Sequence, residues 1–463
     1  MTAQTDQTFD LVILGAGSGG YACALRARQL GLTVALVEED KVGGTCLHRG
    51  CIPTKALLHS AEIAEAARHG EQLGLRTSFE GVDIDALHAY KDKVVTQLFK
   101  GLTGLVKQSG AEVVEGRGRL VDASTVEVAG EGGARRLTGR TVVLATGSAP
   151  RTLPGIEIGP RVMTSDEVLR IEEIPERVAV LGGGVIGVEL ASVMAGLGAQ
   201  VTVVEALDRL VAAEEPSISK VVERTFRKRG ITSVTGARVA GVDATDSAAT
   251  VRLEGADPIE VDLVIVAVGR GPRSEGIGLE VVGVATERGF VTTDERLRTN
   301  VEGVRAVGDL VPGLQLAHRG FAHGIFVAED VAGLSPAPVV DMQIPRVTYC
   351  DPEIASVGMT AEQAKGAGHD VESVQYPLGG NGRSIIRGTT GSITIVREKD
   401  GAVLGVHMVG TGISELVGEA QLMVGWEAHP EEVASLVHAH PTQGEALGEA
   451  AMLAAGRPLH AHA

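Results

Sequence analysis

The sequence predicts an α/β chain in which a strand–glycine turn–helix–strand unit occurs twice, followed by a C-terminal α+β portion. Three observations carry that prediction. The first is DLVILGAGSGG at 10–20, a short apolar run ending in clustered glycines, followed by the helical pattern YACALRARQLG and the strand-like TVALVE ending at Glu38. The second is its return: VAVLGGGVIGVELASVMAGLGAQVTVVE at 178–205 aligns with 11–38 at a constant offset of 167. The third is a change of character from about Asp341, where strand patterns such as PRVTYCDPEIASVGMT and GSITIVREKDGAVLGVHMVG precede helical ones.

In the first unit, strand, G-x-G-x-x-G, helix, strand and terminal acid together make a dinucleotide-binding fingerprint. Gly15 allows the tight turn, Gly17 lets a pyrophosphate approach the backbone, and Gly20 lets helix and strand pack closely. The phosphates would sit on the helix N-terminus and Glu38 would accept hydrogen bonds from a ribose. In the repeat, Gly15, Gly17 and Gly20 map to Gly182, Gly184 and Gly187, Gly31 to Gly198, and Glu38 to Glu205. Two nucleotide sites are therefore expected. A duplicated fold with a dead second site is the bland alternative, and the joint persistence of glycines and acid weighs against it. A carboxylate at Glu205 suits a free 2′-hydroxyl, hence NAD, whereas a 2′-phosphate needs a basic partner; Arg209, the nearest, lies beyond the strand end.

At 463 residues the chain is long enough for about three domains. With 62 glycines and few aromatics, its cores must be built from Val, Leu, Ile and Ala. A formal charge of −17 argues against a nucleic-acid partner, whose phosphates demand neutralisation. The N-terminus MTAQTDQTFD lacks the basic and apolar regions of a signal peptide. No apolar run reaches the ~18 residues that span a bilayer, and Glu189 interrupts the best candidate. Four cysteines in so long a chain suit a reducing compartment, so a cytoplasmic protein is expected. No metal site is expected.

Two of those cysteines, Cys46 and Cys51, lie in GGTCLHRGCIPTK at 43–55. In a regular helix their Cα atoms would stand near the outer limit for a disulfide, ~7 Å. A bridge thus needs a distorted turn, which Gly50 permits. Pro53 fits best in a helix's first turn, which puts Cys51 near a helix N-terminus where a thiolate is favoured. Such a pair points to redox chemistry; two buried thiols are the alternative.

With those flanks, the segment resembles the redox-active stretch of the pyridine nucleotide–disulfide oxidoreductases, class I flavoproteins, and the resemblance runs from about Asp10 to the last helix. It implies FAD in the first nucleotide site and NAD in the second. Residues 1–150 would form the first part of an FAD-binding domain, 151–272 an NAD-binding domain, 273–340 a returning FAD-binding or central segment, and 341–463 a dimerisation domain. Gly44 and Thr45 of the redox segment, Gly118, Thr146 and Gly147 of LATGSAP, and Asp309 and Ala317 of VGDLVPGLQLAHRG match flavin-site positions. Gly269 matches the close of the NAD domain. As a bland alternative, Asp309 is a turn residue after Gly308. Lys55 and Glu189 match positions that pair beside the flavin, against the alternative of a solvated lysine and a polar helix residue. In HAHPTQGEALGEA, His440 matches the family's acid–base and Glu445 the carboxylate that orients it. Thr442 to Glu445 also reads as a capping box, which would leave Glu445 only a helix cap. Cys23 and Cys350 are expected to be core thiols.

Within the family, Glu205, Tyr21, GGNGRS at 379–384 and HAHPT resemble the dihydrolipoamide-oxidising, NAD-dependent branch. His48-Arg49 departs from the Asn-Val more usual between the cysteines. The resemblance implies a homodimer in which His440 serves the partner's disulfide. Its partners would be lipoyl domains of 2-oxo acid dehydrogenase complexes, or the H-type protein of glycine cleavage. Two rivals stand beside it: an NADPH-dependent reductase of a small disulfide such as glutathione or mycothiol, and a flavin-binding interaction protein without turnover.

Overall fold

The computed structural model describes residues 7–130 and 133–461. The first six residues, where the reading of the N-terminus begins, lie outside that range. The chain forms two compact units. One gathers the N-terminal segment up to Ala56 with His88–Arg151 and Arg270–Asp341; the other gathers Leu57–Leu87, Thr152–Gly269 and the C-terminal segment from Met342.

In the first unit, parallel strands run in the order Glu112–Glu115, Val34–Glu38, Gln7–Leu14 and Gly133–Leu144, and Val304–Ala306 pairs parallel with the last. Thr125–Gly130 and Arg117–Leu120 extend the sheet antiparallel. The strands read as continuous apolar runs because parallel strands are covered on both faces. Leu11, Val12, Ile13, Leu36, Val37, Val142 and Val143 are accordingly all buried. Each such side chain contributes about 1.5–3 kcal/mol of transfer free energy. The helices Ser18–Gln29 and Ala317–Val331 touch through glycine. A Cβ on Gly324 would collide with the Gly19 carbonyl, so nothing larger fits where the two backbones meet. Cys23 lies buried at that seam.

The second unit repeats the parallel arrangement, with strands in the order Thr232–Val234, Gln200–Val204, Arg177–Leu181, Leu263–Val266 and Val162–Thr164. Its helix Val185–Leu197 is apolar almost all round and correspondingly buried. A five-stranded antiparallel sheet follows, in the order Arg346–Thr348, Glu353–Gly358, Val403–Gly410, Ser392–Glu398 and Val371–Pro377. Side chains alternate across it. Ala355, Val357, Ile393, Ile395, Val406 and Met408 pack with Ala420 and Met423 of one helix and Ala446, Leu447 and Ala450 of Gly444–Ala454. That packing fixes the helix whose first turn carries Glu445. The two parallel units and the antiparallel α+β portion are the fold class the sequence predicts. Among the described residues, no helix is long and apolar enough to cross a membrane.

Candidate active site

Cys46 and Cys51 are joined in a disulfide, with Cα atoms 4.6 Å apart. The distorted turn that the spacing demands falls at Gly50, whose φ −148° and ψ −110° separate helix Gly44–Arg49 from helix Cys51–Arg68. Cys51 is thereby the first residue of its helix and Pro53 sits in the first turn, where its missing N–H costs nothing. At the other end, Gly43 and Gly44 have φ of 112° and 61°. The Gly43 N–H donates to the Ala16 carbonyl at 2.8 Å. A Cβ on Gly44 would stand only 2.6 Å from the Cα of Gly17. Backbone therefore meets backbone where the redox segment crosses the first nucleotide turn.

The two residues between the cysteines that depart from the family pattern are both anchored. His48 Nε2 is 2.9 Å from the Val42 carbonyl, and its ring meets Phe99 edge-on at 5.1 Å. Arg49 pairs with Asp40 at 3.0 Å on the surface, an interaction worth little by itself.

The repeated fingerprint is repeated in its hydrogen bonds. Glu38 accepts from the Ala16 N–H at 2.7 Å and the Asp40 N–H at 2.9 Å, one on each carboxylate oxygen. Glu205 accepts from Gly183 N–H at 2.6 Å and Leu207 N–H at 2.7 Å, again one on each. Every one of these positions obeys the offset of 167. A carboxylate so held cannot rotate, and each oxygen keeps a second lone pair for a ribose hydroxyl. Gly15 and Gly182 take φ of 100° and 108°, and a Cβ on Gly20 or Gly187 would collide with their carbonyls. By contrast a Cβ on Gly184 would meet nothing within 4 Å, and one on Gly17 only the Gly44 Cα at 3.9 Å. Each of these glycines starts a helix that no side chain caps. Both turns thus fit a pyrophosphate approaching uncapped N–H groups. Arg209 is turned aside, toward Asp208 at 3.3 Å and the Ala212 carbonyl at 2.9 Å.

Asp309 is more than a turn residue. Its Oδ2 accepts from the Ser148 hydroxyl at 2.6 Å, and that hydroxyl accepts from Arg270 Nε at 2.9 Å. The same guanidinium donates to the Ser148 carbonyl at 3.0 Å and reaches Thr45 Oγ1 at 3.5 Å. One arginine thus ties the redox segment, the strand end after Thr146-Gly147 and the Asp309 turn. Thr146 Oγ1 donates to the Arg273 carbonyl at 2.7 Å, and Gly147 and Gly269 take positive φ. Gly118 is required by packing, since a Cβ would press on Leu14 and Val37. Ala317 opens the Ala317–Val331 helix. Behind the turn, the Gly308 N–H donates to His323 Nδ1 at 3.3 Å. Burial, then the Arg319 charge, push that imidazole's pKa down to about 4.

Lys55 stands half-buried on the Cys51–Arg68 helix, one turn beyond Cys51. Glu189 is buried in the second unit and accepts from the Tyr349 N–H at 2.9 Å. Cys23 and Cys350 are buried thiols, as expected; burial drives the first up to about 12 and the second also upward, which leaves both unreactive.

His440 Nδ1 lies 2.8 and 3.0 Å from the two carboxylate oxygens of Glu445. The capping box is only half made. The Glu445 N–H donates to Thr442 Oγ1 at 3.1 Å, while the Glu445 carboxylate has gone to the imidazole. With Nδ1–H given to the carboxylate, Nε2 carries the free lone pair of a base. The imidazole side chain is 72% exposed on its own subunit, and the carboxylate 18%. His438 is the opposite case. It pairs with Glu419 at 2.8 Å, is 15% exposed, and packs flat on Gly448, where any Cβ would strike its ring.

Residues 9–324 match the pyridine nucleotide-disulphide oxidoreductase family, and residues 344–451 match that family's dimerisation domain. The chain belongs to this family. It is 40% identical over 469 residues to a dihydrolipoyl dehydrogenase of Bacillus subtilis (strain 168), covering 98% of this chain and 99% of that one. It is 37% identical over 457 residues to the dihydrolipoyl dehydrogenase of Geobacillus stearothermophilus, covering 97% of each. Among solved structures, LpdA from Mycobacterium tuberculosis superposes with a TM-score of 0.90 at 26% identity, covering 96% of this chain and 99% of that one. The HOCl-induced flavoprotein disulfide reductase RclA of Escherichia coli, as its Cu(II) complex, gives 0.87 at 26% identity with the same coverage.

Sequence reasoning missed Arg270, Ser148 and His323. The first two adjoin residues that were singled out, Gly269 and Gly147, but the bond between them spans 122 residues and has no local signature.

Proposed function

We propose that this protein is an FAD-dependent dihydrolipoyl dehydrogenase, oxidising protein-bound dihydrolipoamide and reducing NAD+. The observation that carries the reading is the Cys46–Cys51 disulfide, closed with Cys51 at a helix start, in a segment held backbone-to-backbone against a nucleotide turn. The named relatives across nearly the whole chain supply the substrate class.

FAD would be held by Gly15, Gly17, Gly20, Glu38, Gly44, Thr45, Lys55, Gly118, Thr146, Gly147, Asp309 and Ala317. NAD would be held by Gly182, Gly184, Gly187, Glu205 and Gly269, and Lys55 and Glu189 match the positions the family places beside the flavin. The domain division follows: 1–150 with 273–340 for FAD, 151–272 for NAD and 341–463 for the interface. When bound, the flavin supplies a two-electron relay between the cysteine pair and the nicotinamide.

The chain's own residues do the thiol chemistry. His440 Nε2 takes the proton of one substrate thiol, and Glu445 holds the imidazolium that results. The thiolate attacks Cys46 Sγ, and Cys51 leaves as a thiolate favoured by its helix N-terminus. The second substrate thiol then attacks the first substrate sulfur, closing lipoamide and expelling Cys46. His440 gives its proton to the departing Cys46 and takes up the one that the second thiol releases, which leaves a Cys46 thiol, a Cys51 thiolate and an imidazolium held by Glu445. One disulfide is formed and one reduced. In the homodimer, His440 serves the partner subunit's disulfide; its exposure on its own subunit supports that arrangement. Lipoyl domains or an H-type protein would deliver the substrate, in the cytoplasm.

Steady-state oxidation of dihydrolipoamide by the purified protein, with NAD and NADP in parallel, tests the reading. Strong NADH production with little NADPH is expected. No turnover with either, alongside NADPH-driven reduction of glutathione or mycothiol disulfide, would transfer the chain to the rival reductase.

A further inference from the structure

The exposed His440 stands on a loop whose position is set by a buried polar clamp. The clamp comes from the 379–384 segment, 56 or more residues earlier in the chain. Asn381 is 2% exposed and Ser384 is fully buried. Asn381 Nδ2 donates to the Thr442 carbonyl at 3.1 Å, which fixes which way its amide faces. Its Oδ1 then accepts from the Ser384 N–H at 2.9 Å. Gln443 is likewise oriented, because its Nε2 donates to the Thr411 carbonyl at 2.7 Å and leaves Oε1 as acceptor. The Ser384 hydroxyl lies 2.8 Å from Gln443 Oε1 and 3.1 Å from Asn381 Oδ1. It has one proton, and the shorter contact to the otherwise unserved Gln443 oxygen takes it.

The clamp grips the two residues that follow Pro441. Thr442 is held by its carbonyl and Gln443 by its side chain. From there the loop closes on itself: Thr442 Oγ1 donates to the Ala439 carbonyl at 2.7 Å and accepts from the Glu445 N–H. His440 and Glu445 therefore sit on either side of the clamped pair. Gly382 of the same segment passes close by, and a Cβ there would lie 4.0 Å from His440 Cε1. An imidazole that is largely exposed has little packing of its own to hold it. A base displaced by even a fraction of an ångström loses rate, because proton transfer needs hydrogen-bond geometry.

We propose that Asn381 and Ser384 are positioning residues for His440, acting through Thr442 and Gln443 to hold the His440–Glu445 pair in place for proton transfer. The inference rests on the reading of His440 as the acid–base of a dihydrolipoyl dehydrogenase.

The test is Ser384→Ala in the flavin-loaded full-length protein, with Asn381→Leu as a second variant of similar size that cannot donate to the Thr442 carbonyl. Three readouts are taken: kcat and KM for dihydrolipoamide, NADH-driven reduction of an artificial one-electron acceptor (which makes no call on His440), and the thermal midpoint. Both variants are expected to lose about five- to tenfold in dihydrolipoamide kcat, the scale of one buried hydrogen bond, with KM within about twofold. Artificial-acceptor reduction should stay within about twofold of the wild type. Dihydrolipoamide kcat within twofold of wild type in both variants would overturn the proposal. So would an equal loss of both activities with a lowered thermal midpoint, which marks a merely structural role. A wild-type protein that reduces the artificial acceptor but never turns over dihydrolipoamide would sink the functional reading itself.

Discussion

Glu445 presents both carboxylate oxygens to Nδ1 of His440, at 2.8 and 3.0 Å, rather than closing the capping box its sequence spells. A cap needs the carboxylate to reach back to the Thr442 N–H; here it holds an imidazole instead. Glu445→Gln should therefore lower dihydrolipoamide kcat by about tenfold or more, and His440→Gln by about 10²-fold or more, with flavin still bound. A loss below twofold at Glu445, read by steady-state kinetics, would return it to the role of a helix cap.

Gly44 meets Gly17 backbone to backbone, at φ 61° and with 2.6 Å from an imagined Cβ to the Gly17 Cα. Gly44→Ala must push the redox segment off the nucleotide turn. The expected outcome is a drop in retained flavin and a thermal midpoint lowered by several degrees, about 1–3 kcal/mol in stability. Full flavin occupancy, measured from the ratio of visible to ultraviolet absorbance, would contradict it.

Glu205 ties two N–H groups and keeps lone pairs for a ribose. Glu205→Ala should raise KM for NAD by about tenfold, since hydrogen bonds to a charged acceptor are worth about 1.5–3 kcal/mol. The change in KM for NADP should be smaller. Equal changes for both nucleotides would mean that Glu205 does not face the 2′-hydroxyl.

His323 gives the stability a pH dependence of known sign. It is neutral in the folded chain, where Nδ1 must accept the Gly308 N–H, and burial and Arg319 hold its pKa at about 4 against the opposing charge of Asp341. The unfolded chain takes up the proton near pH 6.5. The stabilisation is thus fully present above about pH 6.5 and is lost as pH falls toward 4, by about 3 kcal/mol in all. Thermal midpoints between pH 7 and pH 4.5 should fall less steeply for His323→Gln than for the wild type; parallel curves would contradict the assignment.

The two nucleotide units and the redox segment were legible because their determinants are local. Gly15 and Gly182 need positive φ, Gly20 and Gly187 need bare backbone, and Cys46 and Cys51 need Gly50 between their helices. The 167-residue offset carried even the hydrogen bonds of Glu38 over to Glu205. What stayed illegible were side chains that meet only once sheets have assembled. Arg270 gives no sign that it will join Thr45, Ser148 and Asp309. Asn381 and Ser384 stand in the run GGNGRS, and nothing local in it marks that they grip Thr442 and Gln443. His438 and His440, two residues apart in one motif, take different carboxylates. Glu419, nineteen residues before His438, is what confines the first of them to a structural pair.

The most direct test of the redox centre is thiol alkylation of the flavin-loaded protein after dihydrolipoamide is added without nucleotide, read by peptide mass spectrometry. The account predicts label at Cys46 and Cys51, none there without dihydrolipoamide, and none at the buried Cys23 and Cys350 in either case. A Cys46–Cys51 bond that survives the dithiol, while the flavin is reduced, would show that the electrons travel by another route.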